Sequence, residues 1–436
     1  MAVSPFEERY RTEMNAVFDD TAKLGKWMAV EVALAKAHAR LGNIPKDAPA
    51  KIEAAARKVK PGRVAEIEAE IHHDLMAMVK ALTEQAGDAG KYVHLGATSY
   101  DIEDTATALI FLEGITLLEK RFATLASTLK KLALEHKGTV CIGRTHGQHA
   151  VPTTYGMKFA LYYQELKRDM ERLAEAKKRI AVGKMSGAVG TMATFGKDGP
   201  KIQKLVMGEL GLEEDPVTNQ VVQRDRHAEV LCVLAFTAAL MEKVAKEIRN
   251  LQRTEIGEIS EPFTQKQVGS STMPQKRNPH KSERVCSLAR LVRANAIVAM
   301  ENIPLEHERD LTNSANERAI FGESFICVDY MAMELDKILA GLVFYPDNIK
   351  RNLEFTQGLV MSERVMIHLV ESGKLGRQEA HEAVRQLAQE AFAKNRHLRE
   401  LVVERKLLTK KEADELFDYT TYTGGAARIV EAAVKD

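Results

Sequence analysis

Apolar residues recur at helical spacing along most of the chain. Five long stretches carry that pattern with neither glycine nor proline: Ile115–Lys137, Met157–Val182, Val217–Ile256, His280–Ile303 and Glu323–Ala340. The third is the most telling. Val230, Thr237, Val244 and Leu251 form a column at heptad spacing, and Leu234, Met241 and Ile248 form a second column offset from it. That is an a/d seam, so this helix packs along another helix over much of its length. Thirty helical residues reach about 45 Å, so several such helices predict a long bundle. Alternating β-branched runs are almost absent, and the expected fold class is all-α.

Glycine and proline mark the boundaries. Residues 1–98 hold shorter helices broken at Gly42–Pro45 and Pro61–Gly62, residues 99–344 hold the long helices, and Tyr345–Pro346–Asp347 turns into a third helical region, 345–436. Asp347 is the expected cap of the helix that follows. Three polar, glycine-bearing segments interrupt the middle region: Cys141–Thr154, Gly183–Gly199 and Glu261–Pro279. Such segments among rigid helices are where chemistry usually sits.

Composition narrows the function. Of 436 residues, 45% are apolar, enough for a sizeable core. Lys plus Arg (62) balance Asp plus Glu (61), leaving a net charge of +1. Nothing global draws the chain to nucleic acid or membrane, so an anionic ligand must be held by local arginines. Cys141, Cys232, Cys286 and Cys327 form no CxxC pair, which fits a reducing compartment. The start MAVSPFEERY lacks a signal-peptide pattern. The longest apolar run, Val230 to Met241, falls short of the about 20 residues a bilayer requires. The expected location is the cytoplasm.

Five segments hold candidate chemistry. Gly269–Pro279 (GSSTMPQKRNP), followed by Glu283 and Arg284, concentrates hydroxyls, cations and an amide in one loop. Backbone N–H groups after a glycine can line an anion pocket, Lys276 can neutralise a carboxylate and Asn278 can donate to it. A solvated basic loop is the bland alternative, and the whole string argues against it. In Gly143–Pro152 (GRTHGQHAVP), His146 lies close to glycines and beside Thr145, a candidate general acid. His146 and His149 make an HxxH, but no nearby acid or cysteine completes a metal-ligand set. Thr98 and Ser99, in Val93–Asp101, can cap the next helix, whose N-terminus either binds a carboxylate or phosphate or is merely capped. His72 and His73, in a helical run, point about 100° apart, so at most one faces a site unless a turn intervenes. Arg309 and Arg318 flank Ser314, and arginine forks suit phosphate. The alternative for them is salt bridging to the four nearby acids.

The loop GSSTMPQKRNP resembles the mobile signature loop of the fumarase/aspartase superfamily. GRTHGQHAVPTT and HLGATSYDIEDTA resemble that superfamily's other two shared regions, in the same order. Arg9–Tyr10, the HHD at 72–74, Thr218–Asn219–Gln220, QRDRHAE at 223–229, the Arg309–Ser314–Arg318 cluster and Tyr422–Thr423–Gly424 resemble the branch of it that cleaves adenylosuccinate. His72 departs from the members that carry arginine there. The resemblance implies three helical domains (1–98, 99–344 with a signature loop at 261–279, and 345–436) and a homotetramer cored by the central bundle. It also implies an active site built from three subunits, a small nucleotide substrate, and no metal or organic cofactor.

The implied reactions release fumarate from adenylosuccinate, giving AMP, and from the succinylated aminoimidazole carboxamide ribotide (SAICAR), giving the carboxamide ribotide (AICAR). By resemblance Ser270 is the base, His146 gives the leaving nitrogen its proton, Glu283 orients that imidazole, and Lys276 and Asn278 face the carboxylate with the backbone of 271–273. His73 and His94 join the site. Thr98, Ser99, Thr145, Gln220 and Ser271 are expected on the fumaryl side. Arg9, Tyr10, Arg309, Ser314 and Arg318 are expected at the phosphate with Arg284 nearby, and His72, Asp74 and Arg277 complete the substrate contacts. Argininosuccinate lyase and carboxymuconate cycloisomerase share the loop. Only a nucleotide substrate needs the phosphate pocket, and the intact Ser270, His146, Lys276 and Glu283 argue against an idle helical scaffold.

Overall fold

The computed structural model describes residues 4–264 and 266–435. Seventeen α-helices lie among the described residues, joined by short 3-10 turns and three two-stranded ribbons. The long helices are Ser99–Glu135, Tyr155–Ile180, Asp225–Leu251, His280–Glu301 and Ser314–Ala340. The first, with 37 residues, reaches about 55 Å. All seven seam residues between Val230 and Leu251 are buried. No described helix is long and apolar enough to cross a membrane.

Three helix starts differ from expectation by more than two residues. Two begin earlier, because Gly114 and Gly322 are packing residues inside helices instead of breaks. A Cβ on Gly114 would meet Phe325 at 2.9 Å and Phe18 at 3.2 Å. The third begins later, at Asp225 instead of Val217. There the Asn219 side chain accepts from the Val221 amide at 3.0 Å and Asp104 accepts from the Val222 amide at 2.8 Å. Such bonds compete with the helical ladder. The helix after the turn at 345 is Pro346–Glu354, with Tyr345 at its N-cap and Asp347 in its first turn. Asp347 therefore complements the helix dipole and does not cap it.

One compact unit comprises the chain up to Phe122, Asp169–Ala239 and Ser287–Met333. Its core joins helix Asp20–Arg40 to helices Ala48–Ala56, Asp74–Ala86 and Gly199–Leu210 through Val30, Leu34, Ile52, Leu75, Leu82, Ile202 and Val206. Burying each such side chain contributes roughly 1.5–3 kcal/mol. Asp19 starts the first of these helices by accepting from the Ala22 amide at 2.7 Å. Buried Arg224 is clamped between Asp104, at 2.9 Å, and Glu317, at 2.8 Å.

The second unit comprises Ala123–Arg168, Leu240–Cys286 and the chain from Glu334 onward. Its core gathers Val365, Leu369, Leu398, Leu401 and Val402 with Ile142. Ile142 belongs to an antiparallel hairpin, Val140–Thr145 with Gln148–Thr154, that the helical pattern did not predict.

Candidate active site

In the first unit, one helix break and one helix start build a cavity. Helix Pro61–Ile71 ends at His72, whose φ of 54° is left-handed. His73 is extended and becomes the N-cap of helix Asp74–Ala86. The turn that would let both histidines face one site is therefore present. They line a cavity of about 660 Å³ together with Asp74, Thr98, Ser99, Gln220, Arg309, Ser314 and Arg318. Nine of the expected site residues meet there.

The cavity holds two guanidinium groups in different states. Arg318 donates to Asp74 at 2.6 Å. Burial pushes the Asp74 carboxyl up, but Arg318 and the Leu75 amide outweigh it and hold the carboxyl below its usual range. Arg309 donates from Nη1 to Gln220 at 3.1 Å, while its Nε and Nη2 are buried and have no partner. Neither arginine bonds to the acids next to it in sequence. Buried N–H groups of this kind call for an acceptor.

Thr98 and Ser99 sit at the start of the longest helix. The Thr98 amide donates to buried Asp101 at 2.8 Å. Asp101 also receives Lys184 Nζ at 2.5 Å and the Ser186 amide at 2.9 Å. His94, four residues before Thr98, lies outside the cavity lining and bonds to buried Glu31. Arg9 is exposed, and Tyr10 packs on Tyr330 with ring centroids 5.1 Å apart. Neither Arg9 nor Tyr10 lines this cavity.

In the second unit, Thr145 and His146 occupy the tip of the hairpin. His146 (φ 54°) and Gly147 (φ 75°) form a two-residue turn between the paired Thr145 and Gln148. Positive φ at both positions is the type I′ geometry that matches strand twist. It leaves the His146 ring exposed. Buried Glu258 anchors the hairpin, accepting from Arg144 at 2.5 Å and from the Tyr155 hydroxyl at 2.5 Å.

The signature loop closes on itself. Asn278 Nδ2 donates to the Gly269 carbonyl at 2.8 Å, and a Cβ on Gly269 would lie 2.1 Å from the Lys276 carbonyl oxygen. Ser270 Oγ accepts from the amides of Thr272, at 3.3 Å, and Met273, at 3.1 Å. In this conformation those amides and Asn278 stabilise the loop itself, not an outside carboxylate. Ser271, Lys276 and Arg277 are exposed, with the Arg277 guanidinium 5.3 Å from the Phe263 ring. Glu283 is exposed in the first turn of helix His280–Glu301, beside Arg284. Buried Glu261 fixes that turn by accepting from the Ser282 amide and hydroxyl, each at 3.0 Å.

A family model described as lyase matches residues 7–294, and one described as adenylosuccinate lyase C-terminus matches residues 358–433. Adenylosuccinate lyase of Pyrococcus horikoshii is 54% identical over 100% of this chain and 98% of its own length. The adenylosuccinate lyase of Methanocaldococcus jannaschii is 49% identical over 100% of this chain and 96% of that one. For Bacillus subtilis adenylosuccinate lyase the identity is 41%, over 97% and 98%. The chain belongs to the adenylosuccinate lyase family. It is a carbon–nitrogen lyase. The fold extends to 3-carboxy-cis,cis-muconate lactonizing enzyme of Pseudomonas putida, with a TM-score of 0.91 and 35% identity over 99% of this chain and 98% of that one. A fumarate lyase of Mesorhizobium sp. BNC1 gives a TM-score of 0.89 and 32% identity over 97% of both chains.

Sequence reasoning missed several residues of this adenylosuccinate lyase family member. Tyr100 and Glu103 line the cavity, and the Arg309 guanidinium lies 3.6 Å over the Tyr100 ring. Burial, then the neighbouring Asp74 and Asp104, push the Glu103 carboxyl up to about 8 against Arg318 and Arg309. Their signal was spacing. Glu103 lies four residues after Ser99 and three after Tyr100, so it shares a helix face with each of them.

Proposed function

We propose that this chain eliminates fumarate from adenylosuccinate and from SAICAR, with the phosphate held in the Arg309–Arg318 cavity. One observation carries the reading. Two arginines converge with Ser314 on a single cavity, and one of them has two buried nitrogens without an acceptor. A phosphate brings more acceptor oxygens and more negative charge to such a pocket than a monocarboxylate or an uncharged group does.

The chemistry follows in two steps. Ser270 removes a proton from the carbon next to the succinyl carboxylate. A serine alkoxide is otherwise a poor prospect, and the Thr272 and Met273 amides directed at Ser270 Oγ support it. Lys276 neutralises the resulting dianionic carboxylate. The C–N bond then breaks, and His146, oriented by Glu283, protonates the departing nitrogen. Thr98, Ser99, Thr145, Gln220 and Ser271 hold the fumaryl side, with His73 and His94 nearby. Arg9, Tyr10 and Arg284 join the phosphate side, and His72, Asp74, Arg277 and Asn278 complete the contacts. No metal or organic cofactor enters this scheme.

The same reading makes the protein a cytoplasmic homotetramer of three-domain chains, each site drawing on three of them. Exposed Leu161, Phe236, Leu291, Ile297 and Met300 on the long helices support packing against further copies. Ser270→Ala tests the chemistry. Turnover should fall by about 10²–10⁴-fold or more while substrate binding persists. Inactive His146→Ala and Ser270→Ala proteins, mixed with subunit exchange, should recover about a quarter of wild-type activity if the two residues come from different chains. Near-normal turnover in Ser270→Ala, or no recovery after verified exchange, would overturn those assignments.

A further inference from the structure

Helix Asp20–Arg40 carries two buried polar side chains, Glu31 and His38, seven residues apart on one face. At 1.5 Å per residue that is about 10 Å along the helix. Both reach the loop that leads into Thr98 and Ser99. Glu31, whose side chain is 0% exposed, accepts from the His94 amide at 2.9 Å and from His94 Nδ1 at 2.6 Å. His38 donates from Nε2 to the Leu95 carbonyl at 2.9 Å, and its Nδ1 accepts from Asn43 at 3.2 Å. The His38 tautomer is thereby fixed, and burial holds that ring below the usual histidine range. Gly96 closes the loop with φ 80°, and a Cβ there would meet Phe195 at 2.7 Å.

We infer that Glu31 is a positioning residue: its two hydrogen bonds lock the rotation of His94, make Nδ1 the donor, and leave Nε2 to bind a carboxylate of the substrate. Nε2 makes no hydrogen bond among the described residues. The backbone supports the same conclusion. His94 sits at φ 61°, a left-handed conformation costly for a side-chain-bearing residue unless its surroundings impose it. Here the Glu31 bond to the His94 amide imposes it. A carboxylate partner at Nδ1 favours the charged ring, as an orienting acid does for histidines at metal and catalytic sites. Burial opposes that charge, Glu31 restores it, and Asp101 on helix Ser99–Glu135 adds to it, so His94 lies above the usual histidine range. Lys184 pairs with Asp101 at 2.5 Å, and Asp198 acts on His38. The assignment rests on the functional reading above, which places His94 in the substrate site.

The test is a set of pH profiles from 5.5 to 9 for wild type, Glu31→Gln, His94→Gln and the double variant. The readouts are kcat/KM for adenylosuccinate and the dissociation constant of fumarate measured by calorimetry. Glu31→Gln keeps the shape and a neutral acceptor but removes the charge. The alkaline limb of both profiles should move down by about one pH unit, with about a tenfold loss at pH 8 and little at pH 6. In the His94→Gln background the second change should add nothing, because Glu31 acts through His94. Glu31→Asp, which retains the charge, should restore part of the limb and controls for folding. An unmoved limb in Glu31→Gln, or a full additional loss in the double variant, overturns the inference. A wild type that fails on adenylosuccinate but shows the Glu31-dependent limb for fumarate would sink the substrate reading and leave the inference standing.

Discussion

Arg309 lies over Tyr100, its guanidinium carbon 3.6 Å from the ring centroid, while Nη1 donates to Gln220 at 3.1 Å. The stack fixes the plane of the fork, and the Gln220 bond fixes its rotation. The fork is therefore set before any ligand arrives, which spares the ordering cost that a free arginine would meet on binding.

Arg309→Lys should raise KM for adenylosuccinate by about tenfold or more and leave inhibition by fumarate nearly unchanged. Charge-assisted bonds to phosphate are worth roughly 1.5–3 kcal/mol each, and lysine loses both the fork and the stack. Steady-state kinetics with fumarate as product inhibitor reads this directly. Equal losses for both ligands would make Arg309 a structural residue.

Gly269→Ala should remove most turnover without unfolding the chain. A Cβ would lie 2.1 Å from the Lys276 carbonyl, so the loop must open and Ser270 leaves the Thr272 and Met273 amides. The loop is largely exposed, so Tm should shift by only about 2 °C or less. A variant with near-normal kcat would show that the closed loop is dispensable.

Glu103 gives stability a pH dependence of definite sign. Its carboxyl titrates at about 8 in the fold against an ordinary 4.5, so the fold holds a proton that the unfolded chain has released. Its contribution is favourable at low pH and is lost as pH rises from about 4.5 to about 8. Glu103→Gln should flatten that part of the profile, so Tm falls less between pH 6 and 9 than in wild type. Parallel Tm curves would count against an uncharged Glu103.

Exhaustive chelation should leave turnover unchanged, because the proposed electrophile is the Lys276 ammonium. A loss that zinc restores would instead make His146 and His149 metal ligands.

The helical class was legible because long stretches lack glycine and proline and because the Val230–Leu251 columns keep their spacing. Helix ends were less legible where glycine serves packing, as Gly114 does under Phe325, or where a side chain captures the backbone, as Asn219 does. The His146 hairpin hid behind short strands. Its signal was His146–Gly147, two residues able to take positive φ between pairing strands. Most residues that face the cavity were legible through the superfamily motifs. The residues behind the motifs were not. Glu31 lies in the apolar run from Met28 to Ala35, and Glu258 follows a glycine in a polar stretch. Only the fold reveals that His94 and Arg144 meet these acids.

The most direct test is product release by the purified wild-type chain, with adenylosuccinate, argininosuccinate and 3-carboxy-cis,cis-muconate supplied separately. Fumarate and AMP should appear in equal amounts from adenylosuccinate, with no conversion of the other two compounds. Fumarate from argininosuccinate, lactone from the muconate, or no reaction with adenylosuccinate would contradict the account.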